Sequence, residues 1–90
     1  MAVMVTFTLK ADSKTYRSLH PQMLPLAISA GLLFHSAHEH GGQVGIVDFW
    51  PSAEAWNNFS DGPLAEGMKA SGIEPPDDLK ITPVLDADSR

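Results

Sequence analysis

Large apolar side chains recur at every second position from Val3 to Leu9, where Val3, Val5, Phe7 and Leu9 alternate with Met4, Thr6 and Thr8. Period two in a stretch rich in β-branched residues predicts a strand with those four on one face. The spacing then lengthens, as Tyr16, Leu19, Met23, Leu26, Ala27 and Ala30 follow a helical repeat. Asp12 or Ser13 can cap its start, because a side-chain oxygen there accepts from the first free N–H groups. Pro21 and Pro25 fall inside the repeat. Each removes a donor and crowds the preceding turn, which predicts a kinked helix or two short ones, with Pro21 opening the second piece and Gly31 ending it.

Two strand-like runs follow, Leu32 to His40 and Gln43 to Trp50, separated by Gly41 and Gly42. A Gly-Gly pair supplies the positive φ angles that a tight hairpin turn demands. Ser52 can cap a helix carrying Ala55, Trp56 and Phe59. That helix meets Ser60, Asp61, Gly62 and Pro63, which predicts a break and a second helical piece with Leu64 and Met68 inward, ended by Gly72. Pro75 and Pro76 make a stiff loop. Leu79 to Leu85 reads as a last strand, and Pro83 within it calls for an edge position or a bulge. Residues 86–90 are expected to form a loose tail.

The order β, α, β, β, α, β suits an α+β, ferredoxin-like arrangement: a four-stranded antiparallel sheet with both helices on one face. Two helices cover only one side of such a sheet, yet the hairpin is apolar on both, with Val47 and Phe49 on one face and Val44, Ile46 and Trp50 on the other. The second face needs a cover, and a second copy of the chain is the simplest one, so a homodimer is expected.

Composition narrows the setting. Ninety residues, 43% hydrophobic and 19% charged, suit a single domain with a buried core. The net charge is −5, and the six Lys and Arg are scattered singly, which argues against nucleic-acid binding because counterion release needs clustered cations. No apolar stretch approaches the roughly 20 residues that span a bilayer, and residues 1–11 lack a basic leader and a cleavage site. A cytoplasmic protein without membrane contact is expected. The absence of Cys excludes disulfides and thiolate metal sites.

Register across the hairpin selects the candidate chemistry. With Gly41 and Gly42 as the turn, His35 falls opposite Asp48, Ala37 opposite Ile46 and Phe34 opposite Phe49; opposed side chains share a face with Cβ atoms about 4.5–5.5 Å apart. A carboxylate beside a histidine in a partly apolar cavity fixes the ring tautomer and favours the protonated form after proton abstraction, which suits a general base. The same pair would equally satisfy two polar groups at a wet interface. The apolar face of Phe34, Val47 and Phe49 is expected beneath the helices, with Val5, Phe7, Trp56, Phe59 and Met68. The His35 and Asp48 face, with Ala37, Ile46, Trp50, Thr6 and Thr8, is expected to line a space between two subunits. His38 and His40 lie on the opposite face from His35, so this strand assembles no three-histidine site and no metal is expected.

The run Gly31 to Ala37, the run Gly42 to Trp56 and the following Phe59 with its Pro-containing helix resemble the small dimeric α/β-barrel proteins, and among them the antibiotic biosynthesis monooxygenase group. The resemblance implies a cofactor-independent enzyme acting on a flat aromatic or polyketide-like small molecule. A base removes a proton and the carbanion reacts with oxygen itself, so no cofactor is called for. In that frame His35 is the base, Asp48 its orienter, and Trp50, Ile46, Ala37, Thr6 and Thr8 the surroundings of the substrate. The superfamily also holds isomerases, cyclases, haem-degrading enzymes and proteins with no known activity. Haem chemistry commonly uses a helix histidine, which the second helix lacks. An isomerase or cyclase with the same base, and a non-catalytic dimeric module binding a small molecule, remain alternatives.

Overall fold

The computed structural model describes residues 1–88. Its elements run β1 (Val3–Leu9), α1 (Ser13–Ser29), β2 (Phe34–His40), β3 (Gln43–Trp50), α2 (Ala53–Phe59), a π-helical turn (Ser60–Leu64), α3 (Ala65–Ala70) and β4 (Lys80–Pro83). The four strands form one antiparallel sheet in the order β2-β3-β1-β4, the ferredoxin-like arrangement expected from the element order. Pro83 sits on an edge strand, where its missing N–H breaks no ladder. Residues 86–88 are irregular and exposed; the rest of the expected tail, residues 89 and 90, lies outside the described residues.

Both proline-bearing segments stay helical. The Asp12 side chain accepts from Thr15 N, and α1 then runs unbroken through Pro21 and Pro25. Both prolines are exposed, so the carbonyls deprived of a partner, those of Arg17 and Pro21, fall on the side where water can satisfy them. At Pro63 the chain widens instead of breaking. The π turn absorbs the missing N–H and continues directly into α3, which ends before Gly72 at φ +70°.

The hairpin has the expected register: Gly41 and Gly42 turn at φ +57° and +81°, and His35 pairs with Asp48 and Phe34 with Phe49. What differs is the face that the helices cover. Val5 pairs with Asp48 and Phe7 with Ile46, so the apolar face of β1 is continuous with the His35 and Asp48 face of the hairpin. Val3, Val5, Phe7, Leu9, Val44, Ile46 and Trp50 are all buried there beneath Leu19, Trp56, Phe59 and Met68. Phe34 is 51% exposed and Val47 and Phe49 are half-buried on the other, uncovered face. Thr6 and Thr8 lie on that face too, opposite Val47 and Gly45, and so do not share the His35 face as expected. The physical reason is β1. Its alternation leaves one side built of four large apolar residues and the other of Met and Thr, and burying the former outweighs covering Phe34 and Phe49.

The loop before β4 is tied to the far end of β1. Asp78, a plain loop residue by sequence, accepts from Thr8 N at 2.8 Å and Thr8 Oγ1 at 2.6 Å, while Lys10 Nζ meets Asp77 at 2.8 Å. The paired hydrogen bonds from Thr8 hold the Asp78 carboxyl below its ordinary pKa.

Candidate active site

The site lies inside one subunit, between α1 and the sheet. Pairing across the hairpin brings His35 Nδ1 to 2.6 Å from Asp48 Oδ1. Asp48 is the single buried charged residue among those described, 6% exposed. Its other oxygen is 3.4 Å from Trp50 Nε1, a long contact that still supplies its only further donor among the described residues. From α1, Tyr16 projects across β2 and places its hydroxyl 2.7 Å from His35 Nε2. An ionised carboxylate only accepts, so Nδ1 carries the proton and donates to Asp48; when the ring is neutral, as a base at rest must be, Nε2 accepts from the Tyr16 O–H. Three residues from three elements therefore form one chain of hydrogen bonds.

His20, one helical turn beyond Tyr16, stacks on His35 with centroids 5.4 Å apart and lies tilted against Tyr16 at 5.3 Å. Burial pushes the Tyr16 phenol above its ordinary pKa; the charge of Asp48 adds to this and Arg17 opposes it.

Two spaces meet at this cluster. An inner cavity of about 70 Å³ is walled by Phe7, Leu19, Met23, Ile46, Trp56 and Phe59, with Tyr16, His20, His35 and Asp48 as its polar members. An outer groove of about 470 Å³ shares Tyr16, His20 and His35 and extends along Arg17, Ala37 and Glu39. The π turn helps shape the inner wall, since its wider winding lets Phe59 and Leu64, five residues apart, both reach it. Trp56 Nε1 is a buried donor with no acceptor among the described residues. At this size the inner cavity holds part of a ring; a benzene-sized void takes roughly 150 Å³. A larger ligand would lie mostly in the groove, with one end at the cluster.

The structure thus brings together His35, Asp48 and Ile46 at the cavity and Ala37 at the groove. Trp50 is fully buried behind Asp48, packed on Trp56 and Phe59, and lines neither space. Thr6 and Thr8 are on the opposite face with His38 and His40. Tyr16 and His20 belong to the site: helical spacing puts the Tyr16 ring in the apolar stripe of α1, from which its hydroxyl reaches the cavity edge, while His20, next to Pro21, carries no signal by itself. The one available signal was their i, i+4 spacing, which puts two ring-bearing polar residues on one face. Asn57 and Asn58 are exposed on α2 and take no part.

No family model matches the sequence, and no curated protein does. Solved structures do match the fold. A Bordetella bronchiseptica protein named for the antibiotic biosynthesis monooxygenases superposes with a TM-score of 0.72 at 16% identity, over 93% of this chain and 97% of that one. SnoaB, a cofactor-independent oxygenase from Streptomyces nogalater, gives 0.65 at 11% identity over 96% and 93%. A dimeric ferredoxin-like protein from an uncultured marine organism gives 0.64 at 14% over the whole of both chains. At these identities the likeness establishes a shared ferredoxin-like fold. Among the described residues no helix is long and apolar enough to cross a membrane.

Proposed function

We propose that the chain is a small-molecule enzyme of the cofactor-independent monooxygenase type, acting on an aromatic or polyketide-like compound by general-base chemistry centred on His35. The observation that carries this is the 2.6 Å pair of His35 and Asp48 at the polar rim of an otherwise apolar cavity. A base in that position draws a proton from an activated C–H, Asp48 holds the imidazole tautomer, and the low-polarity wall strengthens each charge interaction. The substrate carbanion then reacts with dioxygen, one oxygen atom remaining in the product as C=O and the other leaving as water. SnoaB, with the same fold, is a cofactor-independent oxygenase. The reading includes the cytoplasmic setting expected from composition.

The active form is a homodimer built on the uncovered sheet face. Met4, Val47, Phe34 and Phe49 leave an apolar patch there, and a dimeric protein shares the fold over its full length. Because the site lies beneath the helices, each subunit holds its own.

Oxygen uptake and quinone formation from anthrone, a flat ketone with an acidified methylene, test the function. His35→Ala should lower kcat on the order of a hundredfold or more while the folded state is kept, and Asp48→Asn should act in the same direction less severely. Consumption of substrate without oxygen uptake would move the reading to an isomerase or cyclase. Saturable binding without consumption would make the chain a binding module.

A further inference from the structure

Both nitrogens of His35 are engaged, Nδ1 with Asp48 at 2.6 Å and Nε2 with Tyr16 at 2.7 Å. A general base needs a lone pair directed at the proton it takes, and the only lone pair of this imidazole already accepts from a phenol. Tyr16 Oη ends this chain of hydrogen bonds and keeps acceptor capacity, since its single hydrogen bond among the described residues is the one to His35. Tyr16 also lines both the inner cavity and the outer groove, so it stands where a ligand lying across the two would pass.

We propose that Tyr16 is the catalytic residue that meets the substrate, with His35 and Asp48 behind it as a proton reservoir and positioning pair. The inference rests on the general-base reading above and deepens it. In the step, the substrate proton moves to Tyr16 Oη while the phenol's own proton moves along the 2.7 Å hydrogen bond to His35 Nε2. The electron pair of the broken C–H bond stays on the substrate, delocalised into its carbonyl or ring. The imidazolium so formed faces the Asp48 carboxylate, and total charge is unchanged. Reversing the relay returns a proton to the product. The burial that holds the phenol above its ordinary pKa keeps it protonated at rest, so the relay starts from a neutral phenol rather than from a standing phenolate. The charged and titratable groups facing the phenol are Arg17 and His20 on α1, His35 on β2 and Asp48 on β3, with Glu39 at the groove.

The relay is tested with Tyr16→Phe, which removes one oxygen and keeps the ring against His35 and His20. Deuterium exchange of the anthrone methylene is followed under nitrogen, so that oxygen chemistry does not compete. The relay predicts that Tyr16→Phe lowers the exchange rate roughly a hundredfold with KM little changed, about as much as His35→Gln, and that the double variant falls no further than either single one. An exchange rate in Tyr16→Phe equal to or above that of the wild type would overturn the relay and leave His35 as the direct base. Exchange at the background rate in the wild type would overturn the general-base reading itself. A readout independent of turnover is the nitrogen chemical shift of His35 Nε2, which should change on Tyr16→Phe; an unchanged shift means that the hydrogen bond is not made and the relay falls.

Discussion

Both faces of the sheet carry large apolar residues, more of them on the covered one, and the two serve opposite ends. The covered face buries Val3, Val5, Phe7, Leu9, Val44, Ile46 and Trp50, and into that layer it admits one carboxylate, Asp48, and the edge of His35. The uncovered face leaves Phe34 at 51% exposure beside Phe49, interspersed with Thr6, Thr8, His38 and His40. A carboxylate placed among apolar residues persists only if its lone pairs are used, and here His35 and Trp50 use them. The polar residues of the uncovered face meet no such requirement, because water or a rearranged interface satisfies them. Chemistry therefore belongs to the covered face and association to the open one.

Substitutions that treat the two faces alike break this comparison most directly. Trp50→Ala removes one of the two largest fully buried side chains and should cost about 3–5 kcal/mol of stability, read from denaturant titration at fixed chain concentration. A loss below about 1 kcal/mol would mean that the covered face is not the core. Phe49→Asp places a charge in the open face; it should weaken self-association roughly a hundredfold or more in sedimentation equilibrium while leaving the His35 cluster intact. A wild-type chain that stays monomeric at micromolar concentration would instead remove the dimer from the proposal.

Smaller effects sharpen the contrast through charge. The chain has a single tyrosine, so the ultraviolet signal of phenolate formation reports Tyr16 alone. Its raised pKa favours the neutral phenol in the folded state. The stability it contributes is whole below the ordinary phenol value and is lost as pH rises through the folded one. Asp48→Asn removes one of the causes, and the titration of Tyr16 should move down towards its ordinary value, though not fully, since burial remains. An unmoved titration would show that Asp48 and Tyr16 do not share the covered face. The smallest effect belongs to the exposed clasp at the rim. The lowered pKa of Asp78 makes its contribution present above the ordinary carboxylate value and lost as pH falls through the folded one. Asp78→Asn should therefore flatten the acid limb of the stability curve slightly, an effect discounted by full exposure to solvent.

The sequence determined by itself what depends on neighbours along the chain. Gly41 and Gly42 set the turn, the turn sets the pairing, and the pairing alone puts His35 opposite Asp48. The period-two run of β1 and the capping residues Asp12 and Ser52 likewise declare their elements locally. Helix interruption at proline was less legible. Whether Pro21, Pro25 and Pro63 break a helix depends on whether water or a π turn compensates for the lost hydrogen bond, and the helices carry through all three. Only the tertiary structure decided which face of the hairpin goes beneath the helices, and hence that the site is enclosed within one subunit and includes Tyr16 and His20. Both faces of the hairpin are apolar, so its own pattern is silent on the choice. The balance is tipped by the register of β1 on β3, a contact between segments more than thirty residues apart, through the burial of four large side chains that only one orientation permits.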